Sequence, residues 1–163
     1  MRCPVALAVG LALALALIAA PAAARDSLGV FGEWGAFKDP EVPRCYAIAA
    51  AQGDGAEGSA SVGNWPRLQV RGQLHIRLSR TLQNGTTARL AIGGQRFELG
   101  GSGRNAFAAD RQADARIIAA MRAAGSMQVS GRDSQGRLFT DRYSLQGAAT
   151  AMDAATVGCA RNP

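Results

Sequence analysis

Two hydrophobic patterns divide the chain. From Val5 to Ala20 every residue is Ala, Leu, Val, Ile or Gly, an unbroken apolar run. Beyond Arg25 apolar residues mostly come singly and alternate with polar ones. The clearest stretch is Val70 to Arg80, where Val70, Leu74, Ile76 and Leu78 interleave with Arg71, Gln73, His75, Arg77 and Ser79. A period of two predicts a half-buried strand with a polar outer face. Asn84-Gly85 then predicts a hairpin turn into a strand over Thr87 to Ile92. A two-residue loop would set the inward residues against Arg89. A three-residue loop, Gln83 to Gly85 with Gly85 at positive φ, pairs Leu78 with Leu90 and Ile76 with Ile92. A one-residue slip inverts a face, so the second register is expected. For the next hairpin a two-residue Gly93-Gly94 turn pairs Leu90 with Phe97 and Ala88 with Leu99, and sets Arg89 opposite Glu98.

The remaining elements follow from punctuation and periodicity. Residues 25–44, broken by Gly29, Gly32, Gly35, Pro40 and Pro43, are expected to be irregular, with Trp34 and Phe37 docked on the core. Cys45 to Ala51 and Ser59 to Asn64 read as strands, the second ended by Trp65-Pro66. The Gly100–Gly103 run reads as a loop. Asp110 to Ala124 reads as a helix capped by Asp110, with Gly125 at its C′ position and an apolar stripe of Ala113, Ile117, Ala120, Met121 and Ala124. Met127 to Ser130 and Leu138 to Leu145 form a hairpin across Asp133–Gly136. Residues 147–156 form a short Ala-rich helical turn leading into Cys159. Many short strands with one or two short surface helices predict a mainly β chain, an immunoglobulin-like antiparallel β-sandwich, with a small barrel as the alternative. The alternation argues against a parallel α/β sheet.

The apolar run has the form of a secretory signal. Arg2 supplies a positive start, Pro21 breaks the run, and Ala22-Ala23-Ala24 offers small residues for cleavage before Arg25. The expectation is a signal peptide over 1–24 and a single β-sandwich domain over 25–163, periplasmic or outer-membrane-associated, with no transmembrane span in the mature chain. Cys3 would leave with the signal. Cys45 and Cys159 then read as one disulfide in an oxidising compartment, against a free thiol or a metal site. With His75 the only histidine and no third thiol, a zinc site lacks ligands, and no metal or other cofactor is expected.

Charge adds a surface. The chain has 18 Lys and Arg against 12 Asp and Glu, a net +6, and only Lys38 is lysine. By the pairings above Arg71, Arg77, Arg89 and Arg96 share one outer face with Gln73 and His75, partly neutralised by Glu98. Such a face suits an anionic envelope component or another envelope protein, with nucleic acid not expected; the plainer reading is a solubilising coat. Catalytic constellations are thin. His75 is expected to be a solvated strand histidine. Asp141, on one face with Phe139, Tyr143 and Leu145, is expected to be partly buried and paired with an arginine. Asp110 and Asp114 lie four apart on a helix face, and capping accounts for the first. The glycine run before Arg104 lacks the ending of a phosphate-binding loop. Trp34, Phe37 and Trp65 form either an exposed platform or lids on the core. The chain is therefore expected not to be an enzyme. The rival readings are a periplasmic inhibitor or chaperone-like protein, marked by a protruding loop or exposed sheet edge, and a small hydrolase built on His75 or Asp141.

Three segments carry a resemblance: Phe31-Gly32-Glu33-Trp34, then Cys45-Tyr46-Ala47-Ile48-Ala49, and the tail from Tyr143 to Met152. They resemble the invasion-associated locus B family of secreted bacterial proteins, in which an aromatic-glycine segment precedes a cysteine heading a strand. The resemblance implies an immunoglobulin-like β-sandwich exported by Gram-negative bacteria, with no known catalytic residues and links to host-cell entry. This chain lacks the mid-chain cysteines and the proline-glycine segment of many members, and an envelope role in a free-living bacterium fits it as well.

Overall fold

The computed structural model describes residues 25–39, 41–53 and 57–160. The signal segment and Cys3 lie outside them. The strands are β1 (Asp26–Phe31), β2 (Trp34–Asp39), β3 (Arg44–Ala50), β4 (Ser59–Trp65), β5 (Val70–Arg77), β6 (Ala88–Ile92), β7 (Gln95–Ser102), β8 (Asn105–Phe107), β9 (Ser126–Arg132) and β10 (Leu138–Ser144). The helices are α1 (Arg111–Ala123) and α2 (Ala148–Ala160). The strands form one antiparallel sheet in the order β1-β2-β3-β4-β5-β8-β7-β6-β9-β10. β7 belongs to both halves: Gln95 to Leu99 pair with β6, and Gly100 to Ser102 pair with β8. The sheet turns there, and the inner faces of its two halves share a single core with the helices. The fold is mainly β and sandwich-like.

Three expectations change. Most of the stretch expected to be irregular forms the paired strands β1, Asp26–Phe31, and β2, Trp34–Asp39, rather than loop. Trp34 and Ala36 are fully buried while Gly35 and Phe37 face outward, a period of two that the glycines and prolines mask. The second correction concerns β5. It pairs with β4 and β8, not with β6, so Leu78 does not meet Leu90 and Ile76 faces Ala106 instead. The cause is the glycine run, which is strand rather than loop. A Cβ at Gly101 would lie 1.9 Å from the Asn105 carbonyl oxygen, so glycine lets β8 fold back on β7 and occupy the place expected for β6. The chain after β5 instead crosses between the halves, with Leu78 and Leu82 buried and their amides bonded to the Arg104 and Gly103 carbonyls. Gly85 does take positive φ, +74°, in a turn closed by the Thr86 amide on Gln83. Third, α1 does not end on a left-handed Gly125; the chain leaves through Ala124 in extended geometry.

Other expectations hold. Asp110 accepts the Ala113 amide at 2.7 Å as the cap of α1. The β6–β7 hairpin has the expected register, Ala88 to Leu99, Leu90 to Phe97 and Arg89 to Glu98. The β9–β10 hairpin also forms. α2, longer than the expected turn, lies across β1 to β4 and buries Ala148, Ala151, Met152, Ala155 and Cys159. A disulfide joins Cys45 in β3 to Cys159 near the end of α2.

Candidate functional site

The four arginines expected on one face fall into separate places. Arg89 and Arg96 lie on β6 and β7, in one half of the sheet, whereas Arg71 and Arg77 lie on β5, beyond β8 in the other half. Arg71 and Arg77 are also parted from each other. Gly72 takes φ +66° beneath Ile118, which resets the alternation, and Arg71 borders a cleft with Asn64 and Thr156 beside α2. Arg77 stays in the pleat, between Ser59 and Asn105.

Arg89 and Arg96 acquire new neighbours. Inward residues of this half are Ala88, Leu90, Ile92, Met127, Val129, Phe139, Asp141 and Tyr143, all buried. Their alternates point outward. Across β7, β6, β9 and β10 one row runs Glu98, Arg89, Ser130, Thr140, and the next runs Arg96, Ala91, Gln128, Arg142. Arg132, opposite Leu138, extends the same face. Arg89, Arg96, Arg132 and Arg142 are all exposed, and among the described residues Glu98 is the single acid on this face. At about 4.8 Å per strand, Arg96 and Arg142 stand ~14 Å apart with only small or polar side chains between. Arg89 and Arg132 border one shallow cleft of about 450 Å³ with Thr87, Ser130 and Leu138. Arg132 also donates to the Gly136 carbonyl at 2.8 Å, which steadies it over the turn. Four guanidiniums on one flat face can bind several anionic groups at once, each in bidentate fashion. The sequence reading missed Arg132 and Arg142. The alternation in Leu138 to Leu145, which buries Asp141 and Tyr143, already turns Arg142 outward. Arg132 was missed because β9 was expected to stop at Ser130.

The outer face of the other half is aromatic. The Phe37 ring lies over Gly35 and the Trp65 ring over Gly63, where a Cβ would come within 2.6 Å of either ring. Phe37 meets Tyr46 at 5.8 Å between centroids, and Arg44 stacks on Tyr46. His75 bonds Asn105 through Nε2 at 2.9 Å and stacks on Phe107 at 4.8 Å. Of the three aromatics singled out, Trp34 is core, and Phe37 and Trp65 are half-buried on this surface.

The buried acids hold backbone. Asp141 accepts the Ser79 amide at 2.9 Å and, among the described residues, has no arginine partner, contrary to expectation; it fastens the crossing segment to β10. Asp114 accepts the Leu74 amide at 2.8 Å, and burial raises its pKa despite that bond. Asp133 is buried in the β9–β10 turn, where burial alone would raise its pKa. The amides of Arg137 and Gln135 and the Arg137 guanidinium outweigh burial and lower it. The Tyr143 hydroxyl is buried without a hydrogen-bond partner among the described residues, and burial, then the Asp141 charge, raises its pKa. Among the described residues no cluster of His, Cys, Asp and Glu has the makings of a metal site. No helix among them is long and apolar enough to cross a membrane.

A sandwich-like sheet with a disulfide to its last helix and a basic outer face defines a class of β-rich domain. No family model matches the chain, and no curated protein matches it. Among solved structures it is similar to invasion-associated protein B from Bartonella henselae, with a TM-score of 0.60 and 15% identity over 79% of this chain and 95% of that one. The two share the fold, in agreement with the resemblance carried by the Phe31–Trp34 and Cys45–Ala49 segments.

Proposed function

We propose that this chain is an exported, non-enzymatic envelope protein that binds an anionic envelope component through Arg89, Arg96, Arg132 and Arg142. The observation that carries the reading is the basic face itself: four exposed arginines on four adjacent strands, opposed among the described residues by Glu98 alone. Export draws on the signal-like segment over 1–24 and on a disulfide of the kind that persists in oxidising compartments. The non-enzymatic reading draws on the acids, since Asp114, Asp133 and Asp141 each serve a backbone amide, and on His75, which Asn105 and Phe107 engage.

A second reading, a chaperone-like or inhibitory protein, is favoured by the edge strand β1. Among the described residues it pairs only with β2, and its Val30 is 71% exposed, so another chain could add a strand there. Cell fractionation with N-terminal sequencing tests the reading. The expected result is a periplasmic or outer-membrane protein beginning at Arg25, retained by isolated envelope. A cytoplasmic protein with an intact start, or one that envelope does not retain, contradicts it.

A further inference from the structure

The basic face leaves another cavity unexplained. Two clefts meet along α2 and share Asn64, Arg71 and Thr156. The first, about 550 Å³, opens between α2 and the turn that precedes β5. The second, about 400 Å³, runs on between α1 and β4 over Val62, Ile118 and Met152. Both volumes fall in the range of small-molecule sites. The junction is built by special backbone. Gln69 is the only non-glycine at positive φ among the described residues, +53°, and Gly72 follows at +66° with Ile118 pressed over it. Buried Asn64 locks this arrangement by accepting the Gly72 amide at 2.9 Å. The effect is to swing Arg71 out of the sheet face and over the groove.

The charged side chains among the described lining residues are all arginines. Arg71 and Arg111 stand at it, both exposed, and neither has an ion pair among the described residues. Arg122 is also there but is held by Asp153 at 2.6 Å. Among the described residues, those lining the two clefts include no carboxylate. An apolar channel with free guanidiniums at its rim complements a molecule with an apolar chain and an anionic head.

We propose that this groove binds a single-chain fatty-acid anion, the acyl chain lying over Val62, Ile118 and Met152 and the carboxylate held by Arg71 and Arg111. This site is separate from the β7-β6-β9-β10 face and stands or falls independently of it. The test is titration of the chain over residues 25–163 with dodecanoate, decanoate, acetate and dodecyltrimethylammonium below their micellar concentrations, followed by NMR shifts or calorimetry. Dodecanoate should bind saturably at one site, and decanoate roughly tenfold more weakly, as two fewer buried methylenes require. Acetate and the cationic chain should bind at least tenfold more weakly than dodecanoate. Arg71→Gln with Arg111→Gln should weaken dodecanoate at least tenfold. Ala119→Trp, which fills the channel from an exposed position on α1, should abolish binding while an unchanged melting temperature reports an intact fold. The proposal is overturned if dodecanoate does not bind saturably, if the cationic chain binds equally well, or if either variant leaves binding unchanged.

Discussion

Trp34 donates its indole N–H to the Ser144 carbonyl oxygen at 2.9 Å, so a fully buried side chain of β2 holds the end of β10. The two strands stand near opposite ends of the sheet order and share no ladder. The Glu33 amide on the Gln146 carbonyl and the Gln52 amide on Arg142 reinforce the closure. Trp34→Phe keeps most of the ring and strands the Ser144 carbonyl. It should cost about 1–3 kcal/mol from the unpaired group, and Trp34→Ala about 3–5 kcal/mol, measured by urea unfolding. A Phe variant as stable as the wild type would show that the bond does not close the sheet.

The disulfide spans 114 residues of sequence and ties β3 to α2. Mass spectrometry of unreduced protein should find both Cys45 and Cys159 unavailable to alkylation. Reduction, or paired replacement by Ala, should lower stability by about 2–5 kcal/mol. Two alkylatable thiols in native protein would contradict the pairing.

Adjacent glycines in β7 should respond very differently to alanine. A methyl at Gly101 meets the Asn105 carbonyl oxygen at 1.9 Å, whereas at Gly100 nothing lies within 4 Å. Gly101→Ala should therefore force the β7–β8 backbone apart and destabilise by ~1–3 kcal/mol or more. Gly100→Ala should stay within ~0.5 kcal/mol of wild type. Equal effects in thermal unfolding would mean that β8 does not fold back here.

The buried acids should give opposite pH signatures. The pKa of Asp114 is raised, chiefly by burial, so its contribution to stability is fullest below the ordinary carboxylate pKa and is lost as pH rises through the raised value. Asp114→Asn should gain on wild type between pH 3 and pH 7. For Asp133 the amides and guanidinium of the turn lower the pKa against burial. Its contribution is present above the ordinary pKa and lost as pH falls through the lowered one, so Asp133→Asn should lose most at pH 7. Urea midpoints at the two pH values check both; the same trend in both variants would contradict the assigned partners.

Local signals were readable along the chain. The Gly93-Gly94 turn, the register of Arg89 on Glu98, the Asp110 cap and the cysteine pair all depend on neighbours in sequence or on composition. Pairing at long range was not. The alternation that runs through β5 and past its end fixes which residues are buried, Leu74, Ile76 and Leu78, but a buried face accepts any apolar partner. The close backbone approach that glycine permits at Gly101 accompanies the choice of β8 over β6. The basic face inherits that error, because two of its expected members sit on β5. Gly72 moves Arg71 further, since one left-handed residue reverses every side chain before it in a strand.

Binding of purified 25–163 protein to isolated envelope, at low and at high salt, tests the central claim most directly. Charges on an exposed face act over about a Debye length, ~8 Å at physiological ionic strength. Retention should fall clearly as salt rises, and fall at least tenfold when Arg89, Arg96, Arg132 and Arg142 are all replaced by Gln. Replacing Arg71 and Arg77 should leave it nearly unchanged. Retention that is indifferent to salt, or that survives the fourfold replacement while the Arg71 and Arg77 pair abolishes it, would contradict the assignment of the β7-β6-β9-β10 face.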